Sequence, residues 1–187
     1  MIAHSMPEEV RRERTVPLPA ESRIANLFVG ADLADAYAIG LPSNSSRDIE
    51  MLTRFMLGET PPWLRLLMGV RDTMVAGFGI KTSAQLRDAP IGDASDRIYI
   101  FRVYAVDARE MILGEDDKHL DFRVSVLLRP MGGADNGRVE IVVTTVVHCH
   151  NPLGRTYLAL IAPFHRIVAR SMLSRASRRG WPESVVL

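Results

Sequence analysis

Residues 138–172 read RVEIVVTTVVHCHNPLGRTYLALIAPFHRIVARSM, and the break at Asn151-Pro152 separates two periodicities. Before the break, β-branched residues run without interruption from Ile141 to Val147, which reads as a strand. After it, Leu153, Tyr157, Leu160, Ile161, Phe164, Ile167, Val168 and Met172 recur at helical spacing as one apolar stripe. Asn151 suits an N-cap and Pro152 the first helical position. The helix should reach about Arg178, ~40 Å at 1.5 Å per residue, with a kink at Pro163 where one backbone hydrogen bond is lost.

Working back from that strand, residues 97–104, 109–114, 119–129 and 138–150 form four strand candidates joined by short connections. The connections at Asp107-Ala108, Asp116-Asp117 and Gly132–Gly137 imply an antiparallel meander. Further upstream, Ala34–Leu41 is a short strand closed by Pro42 and a serine-asparagine turn. A helix begins near Ser45 or Ser46 and stops at Gly58, with Ile49, Leu52, Phe55 and Met56 on one face. Thr60-Pro61 opens a second helix carrying Leu64, Leu67, Met68, Val75 and Phe78, ended by Gly77 and Gly79. Residues 82–96 read as loop. The expected class is α+β in the order β-α-α-β-β-β-β-α. Residues 1–22 form an extended arm, 23–180 a single domain and 181–187 a tail.

Composition bounds what such a domain can do. The chain has 187 residues, 47% hydrophobic and 24% charged, with net charge +1. That is the balance of a globular protein with a real core, without a global pull toward nucleic acid or anionic membrane. The single cysteine, Cys149, excludes an intramolecular disulfide. The charged first twenty residues lack the apolar core of a secretory signal, and no apolar run approaches the ~20 residues of a membrane span. A reducing cytoplasm is therefore the expected compartment. Arginine outnumbers lysine 21 to 2, the coding bias of a GC-rich, bacterial-type genome.

A strand, two helices, a meander and a long terminal helix resemble the helix-grip fold of the START-like (SRPBCC, Bet v 1-like) superfamily. Residues 114–123 (GEDDKHLDFR), 144–151 (TTVVHCHN), 153–157 (LGRTY) and 163–166 (PFHR) are similar to a bacterial family of unknown function. Domains of that family also occur fused behind atypical short-chain dehydrogenases. The resemblance covers roughly residues 25–178. It implies a sheet wrapped around the terminal helix and a cavity between them for a small apolar molecule. It carries no established activity.

Alternation assigns the sheet faces. Leu120, Phe122, Val124, Val126 and Leu128 share the face toward the helix, while His119, Asp121, Arg123 and Ser125 share the other. If Arg129 lies near Arg138, Leu120 falls opposite Val147, Val124 opposite Val143 and Phe122 opposite Thr145. The Asp116-Asp117 turn places Met111 and Leu113 inside and Glu110 opposite Arg123. The facing of 97–104 stays open. Val142 and Val146 make the outer face apolar too, so either the N-terminal arm or a homodimer contact covers it.

Candidate cavity residues are Trp63 and Met68 as wall, with Arg102, Tyr104, Thr145 and Tyr157 as polar groups orienting a ligand. In that register His119 falls opposite His148, and His148, His150 and Asp121 complete a metal-ligand alternative. Hydrogen-bonded surface histidines are the simpler reading, and no metal or other cofactor is expected. Glu115-Asp116-Asp117 could hold a hard cation but reads more simply as a solvated hairpin tip. Cys149 points away from its flanking histidines and reads as inert. The basic residues Arg155, Arg166, Arg170, Arg175, Arg178 and Arg179 read as a solvated helix face, because the stripe beside them is needed for the core. No nucleophile elbow, P-loop or dinucleotide fingerprint is present. The leading expectation is a cytoplasmic binder of a small apolar molecule, with neither nucleic acid nor membrane as partner. One rival is a helix-grip cyclase, hydrolase or isomerase using Tyr157 or a histidine as general acid/base. The other is an interaction module for a separate oxidoreductase.

Overall fold

The long stretch of β-branched residues before Asn151 does form a strand, and it lies in the interior of the sheet. The computed structural model describes residues 12–58, 97–99, 101–131 and 137–184, with residues 62, 63, 65, 66, 68, 69 and 72. Its strands are β1 (Arg14–Thr15), β2 (Leu33–Gly40), β3 (Arg97–Ile98), β4 (Phe101–Val106), β5 (Glu110–Asp116), β6 (Leu120–Pro130) and β7 (Val139–Cys149). Its helices are α1 (Ile49–Leu57) and α2 (Pro152–Arg179). The seven strands form one sheet in the order β1-β2-β7-β6-β5-β4-β3, every pair antiparallel. With α2 crossing one face, the α+β helix-grip architecture holds. The second expected helix and the 82–96 loop lie largely outside the described residues; Pro62, Trp63, Arg65, Leu66, Met68, Gly69 and Asp72 are helical.

The register differs from the sequence expectation, while the faces do not. Leu120 pairs with Cys149, Phe122 with Val147 and Val124 with Thr145, two residues from the expected partners. An even shift leaves side chains on the same face, so Val124, Val126 and Leu128 still enter the core. The pairing runs on to Arg129 opposite Glu140, where the guanidinium Nε donates to Glu140 at 2.7 Å. In the preceding hairpin Asp116 pairs with Asp121, so the tip is Lys118-His119 rather than Asp116-Asp117. Glu110 therefore faces Leu127, not Arg123.

The segment 97–104 is two strands, not one. Tyr99 adopts the left-handed region (φ 57°), the chain reverses, and Ile98 pairs with Phe101. Helix α1 starts after Asp48, whose carboxylate accepts from Met51 N at 3.0 Å. Ser45 and Ser46 are engaged elsewhere: Ser46 N donates to Pro182 O at 2.7 Å, and Ser45 bridges Glu183. Trp181 at the chain's end is buried with Leu52, Met56 and Leu173 in the main core.

The outer face of the sheet is covered by the N-terminal arm and by the short segment that follows it. Val16 and Leu18 pack on Ala36, Ala38, Leu127 and Val142. Ile24, Leu27 and Phe28 pack with Ile112 and Val146. Polar contacts hold the arm there. Ser22 and Ser125 hydroxyls each donate to the buried Glu110 carboxylate at 2.6 Å, and Arg14 pairs with Glu140. Of the two expected covers, the arm lies over Val142, whereas Val146 is covered by Ile24, Leu27 and Phe28 of the domain that follows it.

Helix α2 has the expected cap, Asn151 Oδ1 accepting from Gly154 N at 3.0 Å. It does not bury the whole apolar stripe. Its buried residues are Gly154 and Leu158 near one end and Leu173 and Ala176 near the other. Leu160, Phe164 and Ile167 are 50%, 48% and 59% exposed. The face turned to the sheet runs through Leu158, Ile161, Ala169 and Leu173, one step round the helix from the stripe's centre. Among the described residues no helix is long and apolar enough to cross a membrane.

Candidate functional site

Two apolar clusters line the seam between the sheet and α2. One comprises Leu120, Val147, Cys149 and Leu158, with Leu33, Phe122, Tyr157 and Ile161 packed on it. The other is the main core, reached through Tyr37, Val143, Val124, Ala169 and Met172. Between the strand rows that belong to these clusters lies the cross-strand pair Asp35 and Thr145. A charged residue enters the inner face here because it shares strand parity with Leu33, Tyr37 and Ile39.

Asp35 is not left alone. The Tyr37 hydroxyl donates to Asp35 Oδ2 at 3.2 Å. His165 Nε2 lies 3.2 Å from Asp35 Oδ1, bringing α2 to the sheet at this point. The side chains of Asp35 and His165 are 15% and 24% exposed. Burial, followed by the charge and hydrogen bond of Asp35, pushes the Tyr37 hydroxyl above its ordinary pKa; the Arg166 and Arg170 guanidiniums act in the opposite direction. Thr145 is 6% exposed, and among the described residues its hydroxyl has no partner. A carboxylate offers about four acceptor positions, so Asp35 keeps acceptor capacity beyond its two partners. The seam thus presents an acceptor, a hydroxyl and an imidazole at the meeting of two apolar surfaces.

Of the six expected cavity residues, Thr145 and Tyr157 stand at this seam. The Tyr157 ring packs on the cluster of Leu120, Val147, Cys149 and Leu158. Arg102 and Tyr104 are on the opposite, outer face, because β4 turns Phe101 and Val103 inward. There the Tyr104 ring lies between two guanidiniums, Arg102 at 5.3 Å and Arg123 at 3.8 Å. Its hydroxyl donates to Asp116 at 2.8 Å, and burial followed by that bond pushes its pKa up to about 12. Trp63 is 41% exposed and Met68 half-buried, on a segment whose neighbouring residues lie outside those described. The six do not line one cavity.

The histidines disperse as well. His148 stands opposite Asp121, not His119, and its Nε2 lies 2.9 Å from Leu27 O. His150 Nε2 pairs with Asp121 at 2.9 Å, and His119 Nδ1 meets the Asn151 amide. Among the described residues no three His, Cys, Asp or Glu side chains are grouped to hold a metal. The acidic turn divides between faces: Glu115 pairs with Arg97 at 3.3 Å and Asp116 with Arg123 at 2.6 Å. Cys149 is buried, and burial, followed by the Asp32 charge, pushes its thiol up to about 11.

Sequence reasoning missed Asp35, Tyr37 and His165 as a set. The available signal was a carboxylate in phase with Leu33, Tyr37 and Ile39, and a histidine four residues after Ile161 on the helix.

A family model described as "Protein of unknown function (DUF2867)" matches residues 27–172. No curated protein matches, and no solved structure matches.

Proposed function

The chain belongs to the DUF2867 family, and we propose that it binds a small, mainly apolar molecule in the seam between the sheet and α2. The observation that carries this reading is the Asp35–Thr145 pair, with Tyr37 and His165, set between two apolar clusters. Binding sites combine an apolar lining with a few convergent polar groups that fix orientation. Phe122, Tyr157 and Ile161 would hold the apolar body, and Asp35, Thr145 and His165 a hydroxyl or similar hydrogen-bonding end. We place the fold with the START-like (SRPBCC, Bet v 1-like) helix-grip proteins, on its strand order and the long C-terminal helix on the inner face. The arginine bias and the near-neutral net charge of +1 fit a bacterial cytoplasmic protein.

Native mass spectrometry of freshly purified protein, repeated after denaturation, tests the reading. The expected result is extra mass lost on denaturation, reduced or absent in the Asp35→Ala/Thr145→Val variant. A bare wild-type mass, together with no saturable uptake of 1-anilinonaphthalene-8-sulfonate, would overturn it. One observation supports the rival enzyme reading, the His165–Asp35 contact, because a carboxylate orients an imidazole for proton transfer. Chemical change of the extracted ligand on incubation with the protein, abolished by His165→Ala, would decide for it.

A further inference from the structure

The apolar stripe on α2 is expected to serve the core, and three of its eight residues do not. Leu160, Phe164 and Ile167 stand at i, i+4 and i+7, so they form a ridge along one side of the helix, each about half exposed. The chain has no acidic residue between Glu140 and Glu183. Around the ridge the helix carries exposed arginines: Arg166 and Arg170 on one flank, and Arg178 on the ridge line about three turns beyond Ile167. Arg170 has Glu13 at 3.5 Å; Arg166 and Arg178 have no carboxylate partner among the described residues. Apolar side chains in the open, bordered by one sign of charge, mark an interaction surface.

Charge and length select its occupant. A second copy of the chain would bring arginines against arginines. A coiled-coil partner would call for a stripe sustained over several heptads, and a groove seating these two turns would have to bring acidic side chains of its own to the arginines. A bilayer surface needs neither length nor register: a few bulky apolar side chains enter the headgroup boundary and flanking cations meet anionic lipid. We propose that the exposed face of α2 docks this protein on anionic membrane surfaces, with Leu160, Phe164 and Ile167 entering the interface and Arg166, Arg170 and Arg178 on the headgroups. The docking is peripheral and leaves the opposite, sheet-facing side of α2 in place.

The full chain is tested by cosedimentation with vesicles of phosphatidylcholine alone or mixed with phosphatidylglycerol. Binding is expected to the mixed vesicles and to fall as salt rises. Phe164→Glu should lower partitioning about tenfold or more, and Arg166→Gln/Arg178→Gln about fivefold per charge removed. All three positions are exposed, and far-UV circular dichroism with thermal melts checks that each variant folds. Absence of wild-type binding to the mixed vesicles overturns the proposal, as does undiminished binding by Phe164→Glu. So does a wild-type dimer, by light scattering, that Phe164→Glu converts to monomer, because the ridge is then occupied by a second copy.

Discussion

Replacing Gly154 with alanine sets two effects of known sign against each other. In an exposed helix the change would stabilise by about 1 kcal/mol, the usual glycine penalty. Here the first turn of α2 lies against the β5–β6 hairpin tip. A Cβ on residue 154 would sit 2.2 Å from His119 O and 3.0 Å from its carbonyl carbon. Ordinary C···O contacts are about 3.3–3.6 Å, so the parts must separate by more than ~1 Å. Neither side yields easily. His119 O already accepts from His150 N at 2.9 Å, and Gly154 N donates to the Asn151 cap at 3.0 Å. The remaining response is for the helix start to lift, which loosens Leu158 and Tyr157 from their cluster. Overpacking of this kind costs about 1–3 kcal/mol, and partial loss of a buried leucine adds about 1 kcal/mol more, against the propensity gain of about 1 kcal/mol. Gly154→Ala should therefore be net destabilised by about 1–3 kcal/mol, lowering Tm by about 2–4 °C per kcal/mol. Urea and thermal unfolding followed by circular dichroism measure it. A variant as stable as wild type, or more so, refutes the close approach of helix and hairpin.

Thr144 Oγ1 is buried without a hydrogen-bond partner among the described residues, so Thr144→Val should stabilise the protein by about 1 kcal/mol; a loss of that size in a urea melt would show that the hydroxyl is bonded. Leu173 is fully buried and Leu160 half exposed, so Leu173→Ala should cost about 2–5 kcal/mol and Leu160→Ala within about 0.5; equal costs would contradict the helix placement. Alkaline titration reports the raised acids. Cys149 rises from 9.0 to about 11 and Tyr104 from 10.0 to about 12, so both are held neutral in the folded state. Their stabilisation is complete below pH 9 and is lost as pH rises through about 11 and then about 12, because the unfolded chain ionises first. Cys149→Ala should flatten the lower part of that decline in stability measured by urea unfolding, and an unchanged slope would refute it.

The sheet's faces were legible because alternation survives an even slip: Val124 points inward opposite Val143 or Thr145 alike. Register was not legible. It depends on where a hairpin tip falls, and the acidic run through Asp117 offers several tips with similar turn residues. The reversal at Tyr99 carries no glycine or asparagine, so nothing local announced a second hairpin there. The facing of 97–104 is ambiguous because both alternating sets, Tyr99/Phe101/Val103 and Ile98/Ile100, are apolar, so Arg102 and Tyr104 carry no decisive signal. The helix stripe misled in another way. Apolar residues occupy more than half the circumference of α2, so spacing alone could not separate the half that meets the sheet from the half that meets solvent. His165 belongs to the sheet-facing half and was passed over because it interrupts an apolar pattern. Asp35 sits in a short strand of small residues, where a lone carboxylate gives no sign of which face it takes.

The pairing of β2 with β7 has a consequence for synthesis. Leu33 leaves the ribosome 114 residues ahead of its partner Val147 (147 minus 33). At ~5–20 residues per second, β2 waits several seconds or more for the strand that completes it. During that time it offers an unpaired edge with Tyr37 and Ile39 in phase, the kind of segment that chaperones retain. Asp35, in the same phase, places a charge in the middle of that edge and opposes pairing with a like strand from another nascent chain. The carboxylate that anchors the seam in the finished protein thus also guards the strand while it is still alone.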